Sequence, residues 1–352
     1  MRDVAIIASA QAVNTATTTS TPVEMLIPVI NQVLSNAGMA RNEIDFWCHG
    51  SCDYMTGQPF SFVSAVDALG AWPPIIESHV EADGAFALYE AWIKIQTGEV
   101  DTALVFGNGR SSSGDINRVL TLQLDPYVVA PLWPDDRSIA ALQARACLES
   151  GVVTERAMAE VSARNHYNAL SNPYALRRGS HTVDDLLAAP MFANPLRELD
   201  CPAHADGVTA VIIAAADRAR GLALRPAWIR GIDHRIDSQN LGNRSMTALP
   251  SAALAAHKAG ANDDKIDLAE LHAPYTHQEL LLVKALGLAE STSINPSGGA
   301  LCANPMMSAG LARFAEAAAR IMDGSVDRAL GHASSGPWLQ QNIVCVLEGS
   351  DG

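Results

Sequence analysis

Glu81 lies close to His79 and Asp83. Burial and a second carboxylate raise a carboxyl group towards the range of a general base. At a helix start, the same carboxylate is instead simply stabilised by the helix dipole. Cys48, His49 and Cys52 also cluster, but no second ligand pair follows at zinc-finger spacing. They read as buried or loop thiols, and no metal is expected. Gly298 and Gly299 permit a tight turn and a close approach of backbone to a ligand, so they are the expected cofactor-binding positions, without forming a dinucleotide fingerprint. His166, His181 and His204 are either surface histidines or the border of a ligand tunnel.

These residues sit in a chain of 352 residues with 48 % hydrophobic content, enough for a large core. The apolar run Val208–Ala216 has the length of a core strand rather than a membrane span. Met1-Arg2-Asp3 leads directly into a strand-like Val4-Ala5-Ile6-Ile7 without the features of a signal peptide, so a cytoplasmic location is expected. The formal charge of -14 argues against a nucleic-acid partner, whose phosphates demand Lys and Arg. The six cysteines are scattered through a chain large enough to need no disulfide staples.

The positioning elements come as a repeat. Residues 34–45 match 256–267, with Ala37/Ala259, Gly38/Gly260, Ile44/Ile266 and Asp45/Asp267 superposed. Gly98-Glu-Val-Asp-Thr-Ala-Leu matches Gly324-Ser-Val-Asp-Arg-Ala-Leu at nearly the same offset, which argues for duplicated halves. Each half alternates strand and helix. In the first, Val4–Ile7 is a strand, Pro22 opens a helix that ends near Gly38, Ile44–Cys48 is a strand, 84–97 a helix and Thr102–Phe106 a strand. The second half reads as strand 227–232, helix 250–259, strand 267–272, helices 277–286 and 305–322, strand 328–332 and strand Ile343–Leu347. The expected architecture is layered α/β, with two similar sheets around a shared helical layer. Residues 1–225 form the first half and 226–352 the second. Residues 111–205, rich in Pro, Asn, Arg and His, form an inserted loop region.

Four motifs then carry a family resemblance. Arg164-Asn-His-Tyr-Asn-Ala-Leu-Ser-Asn-Pro-Tyr174, Cys201-Pro-Ala-His-Ala-Asp-Gly207, Glu270-Leu-His-Ala-Pro-Tyr275 and Ile294-Asn-Pro-Ser-Gly-Gly299 resemble, in order, motifs of the thiolases. The similarity is to the sterol-carrier-protein type and to the steroid side-chain aldolases, and it implies a thiolase fold of two duplicated α-β-α-β-α halves. A thiolase needs a cysteine nucleophile, a histidine that activates it and a second acid/base group. Aligning Gly84, Ala87 and Leu88 with the thiolase Cys-x-Ser-Gly segment puts Glu81 in the cysteine's place. Ala303-Asn304-Pro305 replaces Gly-His-Pro, and Trp338 of Ser335-Gly-Pro-Trp338 fills the neighbourhood of the second acid/base cysteine. Only His272 keeps its family position.

The resemblance thus implies a scaffold without ordinary acyl-transfer machinery. Its expected site residues are Glu81, His272, Tyr275 and Asn304. Glu81 or Tyr275 would serve as base, although Tyr275 equally reads as a substitute for a packed Phe. His272 would donate into an oxyanion hole, or is a satisfied histidine at a strand end. Asn304 would bind a thioester oxygen or orient a water, or would hold its Asn-Pro turn. The implied activity is retro-aldol Cα–Cβ cleavage of a β-hydroxyacyl-CoA, with a sterol side chain as one candidate. The alternatives are a non-catalytic pseudothiolase that pairs with an active chain or holds an acyl-CoA or lipid without transforming it, and a conventional thiolase. Coenzyme A enters as part of the substrate, with no permanently bound cofactor. The implied partners are a second thiolase-like chain, in a homodimer or heterodimer, and a separate OB-fold protein.

Overall fold

The computed structural model describes residues 2–15, 19–56 and 59–349. Its strands in chain order are β1 (Val4–Thr15), β2 (Phe46–Gly50), β3 (Glu77–Val80), β4 (Thr102–Arg110), β5 (Met191–Ala193), β6 (Leu196–Arg197) and β7 (His204–Ala215). There follow β8 (Ala227–Ile236), β9 (Leu268–Leu271), β10 (Ser293–Ile294), β11 (Asn304–Pro305), β12 (Arg328–Ser335) and β13 (Gln341–Glu348). Strands β5 and β6 form a separate ribbon, and the others join one sheet of 11 strands in the order β10-β9-β12-β13-β8-β1-β7-β4-β2-β3, with β11 beside β7.

This path divides into two halves with one topology. From the outer edge inward, β3-β2-β4 run parallel, and β7 and β1 then follow antiparallel. Likewise β10-β9-β12 run parallel, followed by antiparallel β13 and β8. The sequence pattern predicts two similar sheets around a shared helical layer. A short antiparallel join, Ala5 opposite Trp228 and Ile6 opposite Ala227, links the two. The repeated segments occupy equivalent places. Gly38 and Gly260 each take positive φ beyond a helix end, and Asp45 and Asp267 each precede a parallel strand. The Asp45 carboxylate accepts the Thr102 N–H at 3.0 Å, and that of Asp267 accepts the Arg328 N–H at 3.2 Å. Each aspartate therefore stitches one strand start to its neighbour.

Strands buried on both faces explain the long apolar runs. Val105, Val211 and Ile213 point to one cluster, which they share with Ala329, Ile343 and Leu347 of the second half. Between these faces lie the helices Gly84–Thr97 and Ala309–Met322, which contribute Leu88, Ile95, Phe314 and Ile321. Leu104, Phe106 and Ile212 alternate to the outer face, under the helices Pro22–Ala37 and Ser61–Leu69. The helices Pro250–Lys258 and Thr276–Ala285 cover the corresponding face of the second half.

Two expectations need correction. Residues 111–205 are largely helical, with helices at Ile116–Leu122, Asp136–Glu149, Glu155–Asn168 and Val183–Ala188. Asp115, Asp135, Thr154 and Thr182 cap their starts. The helix expected from 305 begins at Ala309, because Asn304 and Pro305 pair with β7 and Met307 takes a φ of 67°. No helix among the described residues is long and apolar enough to cross a membrane.

Candidate active site

The segment Asn304–Ser308 crosses the ends of the central strands. Gly107 and Gly109 make this possible: a Cβ on them would lie 2.4 Å from the Met307 carbonyl oxygen and 1.7 Å from that of Met306. The Met307 carbonyl in turn accepts the Gly84 N–H at 2.9 Å. This packing brings Asn304 beside His272, just beyond β9. A cavity of about 460 Å³ opens there, lined by Glu81, Asp136, His204, His272, Tyr275, Asn304 and Trp338. The four residues singled out for catalysis therefore border one space, though in different states.

His272 has a determined tautomer. Its Nδ1 accepts the backbone N–H of Ser334 at 3.3 Å, so the ring proton lies on Nε2, which donates to Asn304 Oδ1 at 3.2 Å. Burial holds the imidazole below its ordinary pKa, and it stays neutral. A protonated Nε2 is a donor and not a base. The same contact orients Asn304, so that its amide NH2 is the end left for a ligand in the cavity. Asn304 is itself fixed by its backbone N–H, which donates to Ala203 O at 2.8 Å.

Tyr275 precedes the helix Thr276–Ala285 and is only 3 % exposed. Its hydroxyl donates to Asp136 Oδ2. Burial first, and then the Asp136 carboxylate, push the phenol far above its ordinary pKa. Burial likewise raises Asp136, against the lowering effect of the Tyr275 hydrogen bond.

Glu81 does not meet the expectation of a buried base. Its side chain is 49 % exposed, lies 3.8 Å from His79 Nε2 and accepts the Asp53 N–H at 2.8 Å. Asp83, the expected second carboxylate, turns away from it. Asp83 caps the helix Gly84–Thr97 through Ala85 N–H, and also accepts Gly310 and Leu311 N–H, each at 2.9 Å. Gly298 and Gly299, the expected ligand-contacting glycines, stand outside the lining of this cavity. They take φ of 92° and 65°, and added Cβ atoms would meet Ala169 Cβ at 2.8 Å and Asn295 Nδ2 at 2.8 Å. Their lack of side chains serves packing.

His204 borders the cavity, whereas His166 and His181 lie outside its lining, with ring centroids 5.6 Å apart. Trp338 donates its indole N–H to Ile139 O at 2.7 Å and forms part of the cavity wall. Sequence reasoning missed Asp136 and Ser334. The Pro134-Asp135-Asp136 run signals a helix start, but nothing local signals a partner far along the chain. Ser334 contributes a backbone N–H, which its residue type cannot announce. Cys52 also borders the cavity, and burial pushes its thiol up to about 11. All six cysteines are buried and unpaired, and no group of metal-binding side chains occurs among the described residues.

No family model matches the chain. Acetyl-CoA acetyltransferase of Methanothermobacter thermautotrophicus is 28 % identical over 69 % of this chain and 70 % of its own length. Sterol carrier protein 2 of Gallus gallus is 24 % identical over 86 % of this chain, which spans 63 % of that protein. The 17-hydroxy-3-oxo-4-pregnene-20-carboxyl-CoA lyase of Mycobacterium tuberculosis is 28 % identical over 56 % of this chain and 53 % of its own. Among solved structures, the Ltp2-ChsH2(DUF35) aldolase superposes with a TM-score of 0.83 at 18 % identity, covering 99 % of this chain and 98 % of that one. Human mitochondrial 3-ketoacyl-CoA thiolase in complex with CoA follows at 0.78 and 16 %, covering 99 % and 98 %. The chain thus has the thiolase fold, and its sequence is similar to an acetyl-CoA acetyltransferase, to sterol carrier protein 2 and to a steroid carboxyl-CoA lyase.

Proposed function

We propose that the protein cleaves the Cα–Cβ bond of a β-hydroxyacyl-CoA by retro-aldol chemistry, with a bulky acyl group such as a sterol side chain. The observation that carries this reading is the pairing of groups in the cavity. Hydrogen-bond donors stand at His272 and Asn304, the hydroxyl–carboxylate pair of Tyr275 and Asp136 borders the same space, and the bordering thiol of Cys52 is protonated. A retro-aldol step needs a proton acceptor for the β-hydroxyl and donors for the thioester enolate. It needs no nucleophilic sulfur.

In this reading, the Asn304 amide donates to the thioester oxygen, and His272 holds that amide in place through Oδ1. Tyr275 receives the β-hydroxyl proton. Glu81, half exposed at the cavity, orders the approach of the acyl-CoA rather than taking a proton. Coenzyme A is part of the substrate, and no resident cofactor is needed. The similarity to a lyase of a steroid carboxyl-CoA and to a two-protein aldolase supports the substrate class. The name of the latter also motivates a second protein for this chain, either an OB-fold protein or another thiolase-like chain. We assign the activity to the cytoplasm. Glu81, half exposed and bonded to the Asp53 N–H rather than placed as a buried base, favours a second reading, a non-catalytic acyl-CoA binder.

The test is turnover of β-hydroxyacyl-CoA and β-ketoacyl-CoA by the purified chain, alone and with co-expressed candidate partners. The expected result is a carbonyl product from the hydroxy substrate, with Tyr275→Phe slower by about 10²–10⁴-fold. Thiolysis of the keto substrate as the main reaction would overturn the proposal. Acyl-CoA binding without turnover under every pairing would establish the binder instead.

A further inference from the structure

The retro-aldol reading leaves the final destination of the proton open, because a phenol that stays protonated cannot be the base by itself. The helix Asp136–Glu149 begins with two aspartates of different duty. Asp135 is its cap, accepting the Ser138 N–H at 2.6 Å. Asp136 is thereby relieved of capping. Its carboxylate borders the cavity and accepts the Tyr275 hydroxyl across 139 residues of sequence.

We propose that Asp136 is the terminal proton acceptor of the reaction, reached through Tyr275: the phenol oxygen takes the substrate's β-hydroxyl proton while its own proton passes to Asp136 Oδ2. The O–H bond of the substrate breaks and its electrons form the carbonyl. The Cα–Cβ pair moves onto Cα as the thioester enolate. The same proton returns through Tyr275 to Cα, giving the shortened acyl-CoA, so that Asp136 ends as the carboxylate it began. No oxidant or co-reactant enters. This inference rests on the retro-aldol reading.

The surroundings suit a group that must alternate between carboxylate and acid. The charged or titratable groups that face Asp136 are Tyr275, His204, Asp135 and Arg137, and those that face Tyr275 include Cys201 and Arg137. Burial keeps His204 below its ordinary pKa, and its Nδ1 has no hydrogen-bond partner. With the imidazole neutral, Arg137 is the one fixed positive charge among these groups that face the carboxylate. Burial raises the Asp136 carboxyl above the ordinary carboxylate range, which brings its two states closer in energy at neutral pH.

Asp136 acts through another residue, so the test must separate proton transfer from structure. Asp136→Asn keeps an oxygen that accepts the Tyr275 hydroxyl but removes proton uptake. With the full chain and whatever partner turnover requires, kcat should fall by about 10²–10⁴-fold while KM and the thermal midpoint change little. Asp136→Glu should recover part of the loss. The double variant Asp136→Asn, Tyr275→Phe should be no slower than Tyr275→Phe alone, because the two act as one unit. Wild-type kcat should rise with pH through the Asp136 pKa and then level, and that acid limb should vanish in Asp136→Asn. An infrared titration gives a readout without turnover. The carboxyl band lost in Asp136→Asn should have a higher midpoint in Tyr275→Phe, since the phenol's hydrogen bond lowers the Asp136 pKa. Wild-type cleavage that survives Asp136→Asn, or multiplicative losses in the double variant, overturns the relay alone. Absence of wild-type cleavage under every pairing overturns the reaction class and the relay with it.

Discussion

Ser334 donates its hydroxyl to His272 O at 3.1 Å and its backbone N–H to His272 Nδ1 at 3.3 Å, and the second contact decides what His272 can do. An imidazole whose Nδ1 already accepts must carry its proton on Nε2, so His272 is a donor. The cysteines are equally constrained. Burial pushes Cys48, Cys201 and Cys302 up to about 12, and Cys52 and Cys147 up to about 11. Cys345 is raised as well. A thiol near 11 is ionised at pH 7 to the order of one part in 10⁴, and the thiolate is the nucleophile. Native protein incubated with iodoacetamide or acetyl-CoA should therefore keep its unmodified mass, and activity should survive the alkylating agent. An acyl group mapped by mass spectrometry to Cys52, the thiol that borders the cavity, would restore a thiolase mechanism. The expectation of a carboxylate in place of a thiol at position 81 comes from residue identities in a row. The exposure of Glu81 does not, because it depends on Asp53 and on Asp83 turning towards the helix Ala309–Met322.

Asp83 joins the two central helices of the fold. One carboxylate closes the start of Gly84–Thr97 and meets two N–H groups at the start of Ala309–Met322. Gly310 leaves room for it, since a Cβ there would lie 2.6 Å from Asp83 Oδ1. Removing a cap costs about 0.5–2 kcal/mol, and each buried donor left unpaired adds about 1–3 kcal/mol. Asp83→Ala should thus destabilise the protein by about 2–4 kcal/mol after relaxation, read as a lower urea midpoint with little change in slope. Asn in its place should recover only part of this, because just one end of the amide accepts. An unchanged midpoint would show that the two helices are held by their apolar faces alone. The helix Gly84–Thr97 and its stop at Gly98 were legible in sequence, because a small-residue face and a terminal glycine are local signals. The helix Glu155–Asn168 was not. It buries Asn165 and His166 beside Met158 and Val161, and polar contacts replace an apolar stripe. Asn165 and Asn295 each donate to Glu279 at 2.6 Å, and Arg164 pairs with the same carboxylate. Glu270 accepts from Ser297 and Arg313, each at 2.7 Å. The motif residues that revealed the fold are therefore mostly its buried polar ties. Their roles become visible only once chain segments far apart in sequence meet.

At the scale of the molecule, the repeat in the sequence corresponds to two sheet halves of the same order and sense. We propose residues 1–225 and 226–352 as the duplicated units, with 111–205 an insertion in the first. Duplication does not make the halves independent. The β1–β8 join has two residue pairs, a weak seam by hydrogen bonds alone. The cluster behind it mixes both units: Leu88 and Ile95 of the first pack in the same core as Leu311, Phe314 and Ile321 of the second. Fully burying a large apolar side chain stabilises by about 1.5–3 kcal/mol. Exposing these three from the second unit alone therefore costs roughly as much as the net stability of about 5–15 kcal/mol that ordinary domains possess. Residues 1–225 and 226–352 expressed separately should fail to give cooperative thermal transitions. Co-expressed, they should copurify and regain a sharp unfolding transition and the acyl-CoA binding proposed for the intact chain. Cooperative unfolding of either fragment by itself would mean that the shared helical layer is a contact between autonomous domains. The cavity would then be an interface site rather than part of one core. Loss of binding on cutting the chain, restored on recombination, instead ties the reaction to the whole fold, since His272 and Asn304 belong to one unit and Asp136 and Glu81 to the other.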